Sequence, residues 1–146
     1  MSIPSYTTLI SGIVDGLKDD TDLTGVVSDE FIYYGPQGDM VAYPTITVEL
    51  AEANEEWKTF PKGKDLEATF IIRIYDEAYD YVSGLQSVEN IARLAGDVLQ
   101  KKTGYSGLVY QSYPGRKSFG TFEINDVPLF GCELEMLTKA RFAPAT

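Results

Sequence analysis

The stretch Leu66-Glu67-Ala68-Thr69-Phe70-Ile71-Ile72-Arg73-Ile74-Tyr75 decides the architecture. Leu66, Ala68, Phe70, Ile72 and Ile74 alternate onto one face, as the two-residue period of a half-buried strand requires. The opposite face holds Thr69, Ile71, Arg73 and Tyr75 and is only partly polar, which predicts a central strand.

Upstream, Thr45 to Leu50 alternates in the same way, with Ile46, Val48 and Leu50 pointing one way and Thr45, Thr47 and Glu49 the other. Ala51 to Asp65 separates the two strands and reads as a long hairpin excursion, of a length that is usually functional or disordered. It carries the single Trp57 with Phe60 and Pro61, and its charge switches from Glu52, Glu55 and Glu56 to Lys58, Lys62 and Lys64. Apolar anchors with both charge signs on a projecting segment predict a protein contact; the alternative is that Trp57 folds down as a lid on its own core.

Further upstream, Phe31 to Tyr34 reads as a short strand closed by the turn Gly35-Pro36-Gln37-Gly38-Asp39. Before it, Tyr6, Leu9, Ile10, Ile13, Val14 and Leu17 form one stripe of a helix that Ser5 can cap. Asp19-Asp20-Thr21-Asp22 opposes the helix dipole and stops it, and Leu23, Val26 and Val27 are expected to tuck the next loop onto the core.

Downstream, Leu85, Val88, Ile91, Ala92, Ala95, Val98 and Leu99 define a helix over Val82 to Gln100, closed by Lys101, Lys102 and Gly104. Leu108 to Tyr113 then leads through a predicted turn, Pro114-Gly115-Arg116-Lys117, into a strand over Phe119 to Asn125. The last run, Leu129 to Phe142, places Phe130, Cys132, Leu134, Met136, Ala140 and Phe142 on one face, interrupted by Thr138. The predicted order is α-β-β-β-α-β-β-β. That is an α+β fold, a mixed or antiparallel sheet with two amphipathic helices mainly on one face.

Composition narrows the chemistry. The 146 residues predict a single domain over 1–146. With no histidine, Ser-His-Asp and Cys-His catalysis, His-ligated zinc and a histidine pH switch are excluded. One cysteine cannot form an internal disulfide. A net charge of −10 argues against a sequence-reading nucleic-acid binder. No apolar run is long enough to span a bilayer and the first cation is Lys18, so a soluble, cytoplasm-like setting is expected. The charge is also segregated: residues 1–60 carry 11 acids and 2 bases, whereas 61–146 carry 11 acids and 10 bases.

Each candidate reactive group has a plainer structural reading that the pattern favours. Asp20, Asp22, Thr24 and Gly25 match positions of a calcium loop, but Phe31 stands where the bidentate Glu belongs, so a solvated acidic turn is the better reading. The glycines form no phosphate-cradling motif. Glu133 and Glu135 share a strand face with Lys139 and Arg141, which favours a charged outer face over a hydrolytic carboxylate pair. Cys132 alternates with Phe130 and Leu134 and reads as a core thiol. Arg116 and Lys117 lie near Tyr110 and Tyr113, but two cations in an acidic chain are weak support for single-strand binding. Ten tyrosines, among them Tyr33 and Tyr34, suit protein interfaces as well as strands.

The arrangement resembles the tail terminator (tail-completion) proteins of long-tailed phages. The resemblance covers nearly the whole chain: the opening helix Tyr6–Leu17, the acidic turn with Leu23-Thr24-Gly25-Val26, and Phe31-Ile32-Tyr33. Tyr43-Pro44-Thr45-Ile46-Thr47-Val48, the Phe70–Tyr75 strand, the helix over Val88–Leu99 and the closing Phe130–Phe142 strand continue it. It implies a virion protein at the head-proximal end of the tail, assembled in the host cytoplasm, forming a ring that is commonly a hexamer. Such a ring sits on the last tail-tube ring, stops tube polymerisation and presents the face for a head-completion or connector protein. DNA would pass through its lumen without specific binding; no enzymatic activity, cofactor or membrane contact is implied. Head-to-tail connector proteins share much of the outline, and a small acidic carboxylate-based enzyme or ligand-binding domain is the alternative of another class. Subunit or partner contacts are expected at Trp57, Lys58, Phe60, Lys62, Lys64, Tyr33, Tyr34, Arg116 and Lys117.

Overall fold

The computed structural model describes residues 6–35, 43–59, 62–77, 80–101, 111–124 and 127–142. Helix α1 (Tyr6–Asp19) leads through a one-turn helix α2 (Thr21–Thr24) and a 3-10 turn (Asp29–Phe31) into strand β1 (Ile32–Tyr34). Strands β2 (Thr45–Thr59) and β3 (Lys62–Glu77), helix α3 (Tyr81–Lys101), and strands β4 (Gln111–Ile124) and β5 (Val127–Phe142) follow. Among the described residues the five strands make one sheet in the order β1-β2-β3-β5-β4. β1 runs parallel to β2, and the other pairings are antiparallel, so the fold is of the expected α+β class.

Both long helices cover the same face of this sheet. α1 lies over β1 and β2, α3 over β3, β5 and β4, and the two helices touch each other. The predicted stripes account for this placement. Leu9, Ile13, Val14 and Leu17 of α1, and Val88, Ile91, Ala92, Ala95, Val98 and Leu99 of α3, are buried against Leu66, Ala68, Phe70, Ile72 and Ile74 of β3. Burying one such Leu, Ile or Phe side chain contributes roughly 1.5–3 kcal/mol. Thr138, the polar interruption in β5, is buried too, and its hydroxyl donates to the Ala68 carbonyl at 3.1 Å. The core therefore holds no unmet hydroxyl at that position.

Three local expectations change. The Ala51–Asp65 excursion is not a loop: β2 and β3 stay paired as far as Thr59↔Lys62, with one irregularity between Leu50 and Glu52. β5 flanks the other side of β3 up to Lys64↔Phe142. Ladder hydrogen bonds on both sides of β3 hold the arm extended although its charged sequence lacks an alternating pattern. Second, Pro114-Gly115-Arg116-Lys117 is not a turn. β4 runs through it with a register shift between Pro114 and Lys117, so one strand stands where two were expected; Leu108–Tyr110 lie outside the described residues. A bulge on an edge strand tolerates the missing donor of Pro114. Third, the acidic run after α1 begins a new helical turn, because Asp20 Oδ1 accepts from the Leu23 amide at 2.9 Å. Leu23 and Val27 tuck inward as expected, but Val26 is exposed.

α3 is fixed at its start by two side chains. Asp80 Oδ1 accepts from the amides of Val82 at 3.0 Å and Ser83 at 3.4 Å, an N-cap arrangement. The Ser87 hydroxyl donates to Asp76 Oδ2, tying the first turns of α3 to the end of β3. α3 then crosses β5 at Gly84, where a Cβ would meet the Phe130 ring at 2.2 Å; that ring also stands edge-on to Tyr81, with centroids 5.9 Å apart. Glycine is required here by close approach, not by backbone conformation.

Gly84→Ala should therefore destabilise the fold by about 1–2 kcal/mol in equilibrium denaturation, because overpacking against Phe130 outweighs the better helix propensity of alanine. Gly84→Ala/Phe130→Leu should recover part of the loss. Hydrogen bonds from Ser83, side chain first and then backbone, hold the Asp80 carboxyl below its ordinary 3.8. A folded value below the unfolded one stabilises above the unfolded value and is lost as pH falls through the folded one. Asp80→Ala should lower the melting temperature at neutral pH, and the gap to the parent should close as pH falls below 3.8.

Candidate subunit and partner surfaces

The residues expected to make contacts fall in three separate places. Tyr33 and Tyr34 lie on β1, at one border of the sheet, opposite Thr47 and Val48; Tyr33 is half-buried and Tyr34 is exposed. Arg116 and Lys117 lie at the bulge in β4, at the other border, and both are exposed. Trp57, Lys58, Lys62 and Lys64 occupy the far end of the β2–β3 arm, where Trp57 faces Lys64, Lys58 faces Gly63 and Thr59 faces Lys62 across the ladder. The fold thus gathers three cations and the tryptophan within the last rungs of one hairpin. Phe60 lies outside the described residues.

The sheet face away from the helices is charged but internally paired. Arg73 on β3 forms ion pairs with Glu49 on β2 and with Glu133 on β5, the latter at 3.1 Å. Lys139 lies 3.6 Å from Glu67. These groups are partly solvated, so each pair contributes at most modestly to stability. Their consequence is chemical, because Glu133 is engaged by a guanidinium, which does not suit a carboxylate pair set for hydrolysis. Near the arm, the Tyr6 hydroxyl donates to Glu55 Oε1 at 2.7 Å; that bond, ahead of desolvation, raises the Tyr6 hydroxyl above its ordinary value.

The calcium-like run is likewise occupied by local bonds. Asp20 caps α2, and the Thr24 hydroxyl donates to the Asp20 carbonyl at 2.9 Å. Among the described residues no three Cys, Asp or Glu side chains converge as a metal site, and no helix is long and apolar enough to cross a membrane.

Sequence reading singled out Tyr34 but missed the other exposed apolar residues at both borders. Tyr81 is 63% exposed, Val82 59% and Phe119 47%, and all three lie on the α3–β4 side. Tyr34 at 49% and Leu50 at 39% lie on the β1–β2 side, with Val26 at 42% in the turn that leads towards β1. Leu50 continues the inward alternation of Ile46 and Val48, so nothing in the local pattern marks it as exposed. Tyr81 and Val82 precede the first fully buried member of the α3 stripe, a detectable signal.

No protein-family model matches the chain, and no curated protein matches it by sequence. Similarity is found in the fold. A chain from the virion of a native gene transfer agent particle superposes with a TM-score of 0.66, covering 94% of this chain and 99% of that one at 16% identity. At that identity the likeness is one of fold.

Cys132 lies beneath the β4–β5 pairing and opposite Phe119. Burial pushes its thiol up to about 11 against the opposing pull of Lys117, with Glu133 adding to the rise, so it stays protonated and a poor nucleophile. In native buffer at pH 8 a chromogenic disulfide reagent should leave Cys132 unmodified, and full reaction should appear only under denaturing conditions.

Proposed function

We propose that this chain is a structural virion protein, folded as one domain over residues 1–146, that acts as a tail terminator. In this reading it closes into a ring, a hexamer, on the last ring of a tail tube, stops polymerisation and offers the opposite face to a head-completion or connector protein. It has no enzymatic activity, works without a cofactor and is located at the head-proximal end of the tail. The observation that carries the reading is the whole-chain likeness of fold to a component of a phage-like particle, with nearly complete coverage of both chains.

Physical features support it. A cyclic ring of identical subunits needs two different surfaces on each copy, each matching the other rather than itself. The sheet supplies two unlike borders, acidic residues dominate the first 60 positions, and cations gather at the arm end and on β4. Subunit or partner contacts are proposed at Trp57, Lys58, Phe60, Lys62 and Lys64 on the arm, and at Tyr33, Tyr34, Arg116 and Lys117 on the borders. An acidic lumen would let DNA pass without adhering, by like-charge repulsion.

The decisive experiment adds purified protein to polymerising tail-tube subunits and measures tube length by electron microscopy. Growth should stop, with a ring on one end of each tube. Virions lacking the protein that show tails of normal length on heads unable to retain DNA would assign it to head closure instead. Neutralising Lys58, Lys62 and Lys64 to Gln should weaken oligomerisation at low salt, with the difference fading at high salt because the lost contacts are screened.

A further inference from the structure

The two borders of the sheet differ in more than charge. On the α3–β4 border, Tyr81 and Phe119 expose apolar surface at a cleft of about 170 Å³ that Leu85 and Phe130 also line, and Val82 is exposed on the adjoining helix start. Arg116 and Lys117 continue the same strand from Phe119 and place cations beside that cleft. On the β1–β2 border, Tyr34 and Leu50 are exposed on neighbouring strands, with Asp29 and Glu30 before β1 and Glu52 after the irregularity in β2. Each border is an apolar patch with charges at its edge: Asp29, Glu30 and Glu52 on the β1–β2 side, and Arg116 and Lys117 together with Asp80, Glu89 and Glu123 on the α3–β4 side.

The sheet order separates these patches by four strand spacings, about 19 Å, so they cannot satisfy each other within one chain. The β1–β2 border against itself sets Asp29, Glu30 and Glu52 against the same acids, whereas the α3–β4 border offers them Arg116 and Lys117. Unlike borders match in both polarity and charge. Resting on the ring reading above, we infer that the α3–β4 border of one copy docks on the β1–β2 border of the next. Tyr34 and Leu50 meet the Tyr81–Phe119 cleft, and Glu52 faces Arg116 and Lys117.

The contact is made by side chains rather than by adding strand to strand. Pro114, the bulge and the two cations keep β4 from pairing indiscriminately, the usual protection of a long edge strand. Head-to-tail contact of this kind leaves every border met only where the rotation between copies closes a ring; otherwise it runs on as an open filament.

The test uses two variants, each blocked at one border: Phe119→Asp and Leu50→Asp, both at exposed positions. Sedimentation should show wild type as a ring and each variant alone as a monomer, with the dissociation concentration raised at least about tenfold. An equimolar mixture should give a one-to-one dimer and nothing larger, since each pair has one intact contact. Circular dichroism and melting establish that the variants fold. Should Phe119→Asp lose native structure, Arg116→Glu/Lys117→Glu replaces it with the same readouts. A wild-type ring that persists in either folded variant, or a mixture that stays monomeric, overturns the border pairing while leaving the ring standing. A wild type that is monomeric at every concentration overturns the ring itself.

Discussion

Phe70, Ile72 and Ile74 can be buried on one side only, and the rest of the molecule is arranged around that constraint. Because β3 is the middle strand, its apolar face must be roofed, and α3 does this while α1 covers the neighbouring β1 and β2. Among the described residues no long helix remains to cover the opposite face, where Arg73 holds Glu49 and Glu133 and Lys139 approaches Glu67. The sheet accordingly ends in borders that no helix wraps, and the exposed Tyr34, Leu50 and Phe119 lie there. The placement of a single strand thus determines which surfaces are left for other molecules.

Where burial and periodicity agree, the fold is legible in the residues. The Leu66–Ile74 alternation and the stripes of α1 and α3 predict members that are buried almost without exception, because core positions are dictated by the element's own period. Errors arise where tertiary pairing overrides local preference. Ala51–Asp65 has the charge content of a loop, yet strands on both sides of β3 hold the arm extended. Pro114-Gly115 is a strong turn signal, yet on an edge strand the same pair makes a bulge. Neither outcome follows from a window of neighbouring residues; both depend on what lies alongside.

The candidate surfaces were legible as residue types but not as places. Arg116, Lys117, Tyr33 and Tyr34 stand out in the sequence, but only the strand order shows that they occupy opposite borders. Leu50 fits a core pattern and is exposed because it comes immediately before the register irregularity in β2, a feature with no local signature. Gly84 was equally silent, since its role lies in a ring contributed by β5, many residues away in sequence.

The arm has a consequence for any closed assembly of this chain. β3 starts at the arm end and finishes beside the first turn of α3, with its 16 residues spanning about 50 Å. Cyclic symmetry repeats every arm in the same sense. If copies dock border to border as inferred above, one mouth would carry the arm ends with Trp57, Lys58, Lys62 and Lys64, and the other the helix starts capped by Asp80. Such an object would be vectorial, with two chemically distinct openings.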